Sequence, residues 1–304
     1  PPLPPSMDIL VTGGSGYVGT HLVPLLVSAG HKVTALSRSA AADAKLTALG
    51  ANPVRGTIED KALLTDLARG KDGVIHLAMN HDGMGRSDDY DFETQARISS
   101  EAVLALAEGL PKGKILINTS GTLVGSLLDP HAVLHETDKV ETPNRPTYYQ
   151  SIYDRGLVPI VVRLSPATHG DDDKGFIQSL SRIAKRTGVS AYIDQGENRW
   201  TAVHVQDGAR LYQLALEHGQ AGYYHAVAES GVTLRAIAQA IGERHGLPVK
   251  SIPRDQAAAH FGPFMSFVAG LDAPAANQWT KETTGWEPAH RSLVEDVKVS
   301  EGYA

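Results

Sequence analysis

The stretch ILVTGGSGYVG, residues 9–19, constrains this chain more than any other. A strand-like apolar run ends at three glycines, Gly13, Gly16 and Gly19, spaced three apart, and a helical pattern begins at once. Gly13 permits a tight turn, Gly16 lets backbone approach a diphosphate, and Gly19 lets the helix pack close to the sheet. The helix start presents free N–H groups and the positive end of its dipole. A lone glycine pattern is weak, and the alternative is a structural turn. Its place at the first strand-to-helix turn of an alternating chain favours a dinucleotide loop.

The alternation runs on. DILVTGG, HKVTALSR, NPVRGT, GVIHLA, KILINTS and VPIVVRLS read as buried strands, separated by helical patterns over 17–30, 40–50, 60–70, 88–110 and a shorter stretch from about Tyr148 to Gly156. Such alternation implies a parallel sheet covered by helices on both faces. Gly30, Gly50, Gly70 and Gly156 stand where helix C-terminal caps belong, and Pro24 removes a backbone hydrogen bond inside the first helix. After Ser165 the rhythm shifts to helical patterns, with YYHAV as a late strand that returns to the main sheet.

Composition narrows the partners. The 304 residues, 42% hydrophobic and 20% charged, suit a packed chain of two domains or one large α/β unit with a lobe. A net charge of −6 without a basic block argues against nucleic acid. Cysteine is absent, which excludes disulfides, thiol nucleophiles and thiolate metal sites. The thirteen histidines show no close ligand spacing, so no metal is expected. No apolar run is long enough to span a bilayer, and the opening PPLPPSM lacks the regions of a signal peptide. It reads as a flexible lead or a cloning remnant with the native start at Met7, and the expected location is cytoplasmic.

The second strand ends at ALSRS, with Ser37 lying 24 residues after Gly13. NAD-selective loops commonly place a carboxylate here for the ribose 2′-hydroxyl. This chain has Ser37 and Arg38, a hydroxyl and a fixed planar cation, which favours the 2′-phosphate of NADP. Against it stands the ordinary reading of Arg38 as a solvated surface charge.

TGGSGYVG, VIHLA, INTSGTLVG, VVRLSPATHG and NRWTAVHVQDGARLYQLALE together resemble the extended and atypical short-chain dehydrogenase/reductases, or NAD-dependent epimerase/dehydratases. HLAMNHD, GVSAYIDQGENRWTAVH, YHAVAESG and AAAHFG resemble a subgroup that often lacks the family's Tyr-x-x-x-Lys pair, and the likeness extends from Met7 to Val297. It implies a Rossmann-type doubly wound α/β sheet with a smaller C-terminal substrate lobe. Residues 1–6 would be the lead, 7–165 the NADP-binding domain with 203–228 returning to it, and 166–202 and 229–304 the lobe. By that resemblance Gly13, Ser15, Gly16, Tyr17, Val18 and Gly19 line the diphosphate. Ser37 and Arg38 face the ribose, Ile58 the adenine, and Leu77, Ala78 and Met79 follow the cofactor past the fourth strand. Thr119, Ser165, Pro166 and Ala167 reach toward the nicotinamide. The likeness also implies pairing of two chains through long helices such as the one ending at Leu110.

The reacting centre departs from the pattern. Ser120 matches the family's catalytic serine or threonine, whose hydroxyl supports negative charge on a reduced carbonyl. Tyr148 and Tyr149 follow 28 and 29 residues later, but the positions four beyond them hold Ile152 and Tyr153, not lysine. Without that cation a tyrosine stays protonated near neutrality, and is a proton donor rather than a base. This favours a reductase. His81 and His169 follow strands on the same side and are substitute donors; the ordinary reading of each is a hydrogen-bonded loop histidine. Thr122, Arg199 and Trp200 are the substrate candidates, although Arg199 equally suits a bridge between lobes. His76 reads as structural, His204 as a core-facing residue of an alternating strand, Asp207 as a helix cap, and AAAHFGPFMSFVAG as either a pocket wall or lobe core. The expected activity is NADP-dependent reduction of a ketone, aldehyde or imine on a small molecule. The competing readings are an epimerase or dehydratase using nicotinamide transiently, and a non-catalytic NADP sensor.

Overall fold

The computed structural model describes residues 5–80, 91–129, 131–140 and 146–303. Strands and helices alternate through β1 (Asp8–Thr12), α1 (Tyr17–Ser28), β2 (Lys32–Ser37), α2 (Ala40–Ala48), β3 (Asn52–Arg55), α3 (Lys61–Ala68), β4 (Gly73–His76), α4 (Phe92–Gly109), β5 (Ile115–Gly121), α5 (Tyr149–Asp154) and β6 (Val158–Leu164). The second half adds β7 (Ala167–His169), α6 (Phe176–Thr187), β8 (Ser190–Ile193), β9 (Arg199–His204), α7 (Val205–His218) and β10 (Gly222–Ala226). It closes with β11 (Glu229–Thr233), α8 (Leu234–His245), β12 (Val249–Ile252), α9 (Ala257–Phe261), α10 (Pro263–Ala269), α11 (Gln278–Thr284) and α12 (Leu293–Val299).

Seven strands form the main sheet in the order β10-β6-β5-β4-β1-β2-β3, and every pairing in it is parallel. Alternate residues face opposite helical layers. Ile9 and Val11 pack with Leu22 and Leu26 of α1 and Leu211 of α7, while Leu10 packs with Leu64 of α3 and Leu106 of α4. A strand buried on both faces must be apolar throughout, which is why DILVT shows no polar alternation. YYHAV does join this sheet, as β10 beside β6. Helix α1 continues through Pro24. Gly30, Gly50, Gly70 and Gly156 all follow helices with positive φ, between +74° and +88°.

The remaining strands form a three-stranded sheet, β11-β9-β7, and a pair, β12-β8. Trp200, Ile177, Ile183, Ile237, Ile241 and Leu293 are among the residues of a second apolar core there. Among the described residues no helix is long and apolar enough to cross a membrane.

Chain order reverses between β1 and β4: β2 and β3 lie on one side, β5 and β6 on the other. The crevice beyond the carboxyl ends of these two strands is where such sheets bind ligands. The glycine loop and the 77–80 segment both emerge there.

Candidate active site

Gly13 adopts φ +76°, and a Cβ at this position would lie 2.8 Å from the Ala78 nitrogen. Only glycine lets the β1 turn sit so close on the segment leaving β4. That segment is itself fixed, because Leu77 N–H donates to the Thr12 carbonyl (3.1 Å). Thr12 Oγ1 bonds His76 Nδ1 (2.7 Å), His76 Nε2 bonds Ser99 Oγ (3.0 Å), and Ser99 Oγ donates to the Ala78 carbonyl. His76 is thus structural. A Cβ on Gly19 would stand 2.3 Å from the Gly13 oxygen and 2.6 Å from Gly14 Cα. Gly19 therefore serves packing of α1 onto the loop, rather than onto the sheet as the glycine spacing suggests. At Gly16 a Cβ would approach only the Gly13 oxygen, at 3.1 Å, leaving the outer side of the loop open. Gly16 caps the twelve-residue α1 without a side-chain hydrogen bond, so the helix N-terminus keeps its N–H groups for an anion. These residues fit a dinucleotide diphosphate.

Tyr17 and Val18 turn away from that open side. Val18 packs on the sheet core. Tyr17 carries its hydroxyl inward beside Gly170, where it has no hydrogen-bond partner among the described residues, and burial pushes its pKa far up. Their contribution to a diphosphate is limited to backbone. Ser15 receives Lys45 Nζ at its carbonyl (3.3 Å). Sequence reasoning misses this lysine, because nothing in the weakly patterned α2 shows which face meets the loop.

At the ribose end Ser37 is buried and donates to the Ser39 carbonyl (3.1 Å), while Arg38 is exposed. Asp43 forms a short ion pair with Arg55 and is also held by Ser37, which keeps its carboxyl below the usual range. This edge carries Arg38 and the Arg55–Asp43 ion pair. Ile58 is half-buried against the α3–α4 core, on the side expected for adenine.

The end expected to carry the reaction lies at β5. Thr119 and Ser120 point to opposite faces. Thr119 Oγ1 donates to the His76 carbonyl (2.8 Å) and bonds Tyr212 Oη (2.8 Å), so its hydroxyl is committed to the fold rather than to a cofactor. Ser120 is 7% exposed, and its hydroxyl makes no hydrogen bond to any described residue. Thr122 is fully buried and spent on Thr201 Oγ1 (2.7 Å), which places it out of reach of a substrate.

The tyrosines diverge. Asn118 Nδ2 donates to the Thr147 carbonyl (3.4 Å) and pins the start of α5 to β5. Tyr148 takes φ +54° and lines a hollow with Asp91, which caps α4, and with Arg97 and Ser100 of that helix. Tyr149 stacks on Tyr223 of β10 (centroids 5.1 Å apart, 18° between planes), and partial burial raises its pKa. Arg163 lies on the other contact of Tyr223, 4.2 Å from its centroid, and donates to the Asp138 and Val140 carbonyls. No hydrogen bond joins either tyrosine to Ser120.

Other expected participants are turned inward. His169 is 1% exposed, with Nδ1 on Asp296 Oδ2 (2.9 Å) and its ring edge on His204, so it offers no open face for proton donation. His81 lies outside the described residues. Ser165 donates to the Ala226 carbonyl (2.7 Å), Ala167 is buried in the second core, and Pro166 alone of the three remains half-exposed. Leu77, Ala78 and Met79 are half-exposed along the crevice. Arg199 grips Asp272 through Nε (3.1 Å) and Nη2 (2.9 Å), an ion pair within the second lobe rather than a substrate clamp. Trp200 is fully buried behind Phe176. His204 is not core-facing: it caps α7, stacks on His290 (4.5 Å), and burial drops its pKa to about 4. Asp207 does not cap α7 but accepts from the Ala289 and His290 backbones and from His290 Nδ1.

Beside this cluster Asp173 is fully buried, accepting from Gly175 N–H (2.6 Å) and Tyr303 Oη (2.8 Å), and burial raises its pKa to about 6 from 3.8. A raised carboxyl pKa adds stability that is complete below the unfolded value and is lost as pH rises through the folded one. Asp173→Asn should therefore raise the melting temperature at pH ~7.5, by about 1–3 kcal/mol in free energy, and give no gain near pH ~4. Equal loss at both pH values in thermal melts would show that the carboxylate is needed as an acceptor.

Comparison with known proteins gives a family and a fold. Residues 9–227 match the NAD dependent epimerase/dehydratase family. An uncharacterized protein of Saccharomyces cerevisiae is 37% identical over 304 residues, covering 97% of this chain and 99% of its own. A 4-hydroxy-2-methyl-3-oxo-4-farnesyl-3,4-dihydroquinoline-1-oxide ketoreductase of Stigmatella aurantiaca is 31% identical, covering 88% of this chain and 84% of its own. The crystal structure of UDP-glucose 4-epimerase of Thermotoga maritima, with UDP-glucose, superposes with a TM-score of 0.71 over 98% of both chains at 21% identity, a likeness of fold.

Proposed function

The chain belongs to the NAD-dependent epimerase/dehydratase family, and from that premise we propose that it is an NADP-dependent reductase of a ketone, aldehyde or imine on a small organic molecule. The observation that carries this reading is Ser120. Its hydroxyl makes no hydrogen bond to any described residue and stands at the carboxyl end of β5, one strand from the crevice that the glycine loop and Ala78 line. A bound nicotinamide supplies hydride. Addition of hydride to a carbonyl carbon leaves negative charge on oxygen, and the Ser120 hydroxyl donates a hydrogen bond to it. A donor kept for a developing charge makes no bond within the fold, which agrees with a hydroxyl that has no partner among the described residues.

Tyr149 supports the direction of reaction. Burial raises its pKa, so it holds its proton at neutral pH and is a poor base for oxidation. We assign proton donation to Tyr149. The ketoreductase name of the Stigmatella relative agrees with a carbonyl substrate. The alternative epimerase or dehydratase chemistry returns the cofactor unchanged, so stoichiometric loss of NADPH absorbance separates the two.

The NADP assignment rests on the exposed Arg38 at the ribose edge, next to Ser37, where Arg55 already pairs with Asp43. Calorimetry should give tighter binding for NADPH than for NADH. Arg38→Ala should weaken NADPH by about 10–100-fold, the worth of one charge-assisted contact, and leave NADH unchanged. Equal affinity for both would remove the NADP assignment, and binding of neither would remove the reductase.

A further inference from the structure

Five phenylalanines occur in this chain, and three of them meet in one place. Phe92, at the start of α4, faces Phe264 of α10 (ring centroids 6.3 Å). Phe264 faces Phe176 at the start of α6 (6.3 Å), and Phe176 lies on Trp200 (5.8 Å). The row therefore crosses from the main sheet's helical layer to the second core. Leu123, three residues beyond Ser120, also packs on that second core. Phe92, Leu123, Phe176 and Phe264 are each only half-buried, unlike Phe261 and Met265 of the same AAAHFGPFM stretch, which are sealed. Trp200 behind them is wholly buried, and its indole N–H has no hydrogen-bond partner among the described residues. The ring is seated there for its aromatic surface.

Half-exposed aromatic rings in mutual contact leave apolar area in water at roughly 25 cal/mol per Å², a standing disadvantage that an apolar ligand removes. We infer that Phe92, Phe176 and Phe264 form the wall of a substrate subsite that takes a flat, ring-bearing apolar body, with its carbonyl held toward Ser120. This rests on the reductase reading for the orientation of the carbonyl, and on the rings alone for the apolar body. The row itself is three hydrocarbon rings, so it offers a phosphorylated or polyhydroxylated substrate no group to replace its hydration.

The test is made on binding, in the complex with oxidised NADP, where no reduction can occur. 2-Acetonaphthone is titrated against quenching of tryptophan fluorescence, with hydroxyacetone as the small polar carbonyl. The naphthyl ketone should bind at least tenfold more tightly. Phe264→Ala should weaken it at least tenfold, and Phe264→Leu, which keeps apolar volume, should weaken it less. Trp200→Phe should abolish most of the quenching with little change in affinity measured by calorimetry. Equal binding of the two carbonyls, or unchanged affinity in Phe264→Ala, overturns the wall. A role confined to packing would lower the melting temperature of Phe264→Ala without moving its ligand preference, and so overturns it too. If oxidised NADP does not bind, the same titration on the protein alone still decides the wall, while the cofactor reading falls. If the ketone binds but NADPH is not consumed, the wall stands and the reductase falls.

Discussion

Ser120→Ala should lower kcat/KM for NADPH-dependent carbonyl reduction by about 10²–10³-fold, roughly the 2.7–4 kcal/mol that one preorganised oxyanion donor contributes. The loss should fall in kcat, because the hydroxyl is needed only once charge has grown on the substrate oxygen. NADPH affinity should not change. The second half of the expectation concerns stability. Ser120 is buried and its hydroxyl bonds no described residue. Alanine removes no hydrogen bond among the described residues and fills nearly the same volume, so the variant should melt at nearly the same temperature. Thr119→Ala is the internal control. It breaks bonds to the His76 carbonyl and to Tyr212 Oη, and should lose about 1–2 kcal/mol of stability while keeping most of its turnover. A destabilised Ser120→Ala with intact kcat would invert the two roles and move the chemistry off β5.

What the sequence made legible, and what it hid, divides along the same strand. The doubly wound sheet was readable because buried parallel strands must be continuously apolar and helices must cap at glycine. DILVT, GVIH and VPIVVRL leave little choice. The late strand YYHAV could be placed for the same reason. The strands of three to five residues, β7, β8, β11 and β12, carry too few positions for a period to show. Side-chain direction was legible only where a motif fixed the backbone, as at Gly13. It failed where tertiary contact decides. Arg199 has a carboxylate 73 positions on, at Asp272, and no local pattern announces it. Thr122 and Thr201 find each other across 79 positions. Asp207 looked like a cap of α7, yet it holds residues 289 and 290, and His204 caps the helix in its place. That no lysine stands four positions beyond either tyrosine, where Ile152 and Tyr153 stand, is read from the sequence alone. What its absence allows the two tyrosines to do is a matter of packing, since Tyr149 leans on Tyr223 while Tyr148 turns to α4.

Gly19→Ala should abolish measurable NADPH binding, a loss beyond about 100-fold, through the packing of α1 on the loop. The added methyl would stand 2.3 Å from the Gly13 oxygen, 2.6 Å from Gly14 Cα and 2.7 Å from the Gly14 carbonyl carbon. All three are backbone atoms, so no side chain can rotate aside. Either α1 retreats from the loop or the loop opens, and both displace the N–H groups at the helix start by about an ångström. Anion binding there depends on several N–H groups converging on one site, so a small shift removes most of it. Overpacking of this kind also destabilises a core by about 1–3 kcal/mol, and the melting temperature should fall. Gly70→Ala separates the causes. Gly70 has φ +74°, and a methyl added there would meet nothing within 4 Å, so alanine brings backbone strain of about 1–2 kcal/mol and no collision. That variant should lose comparable stability and bind NADPH as the parent does. If Gly19→Ala also binds NADPH normally by calorimetry, the close packing of α1 on the loop is not what builds the site, and the diphosphate assignment of residues 13–19 fails with it.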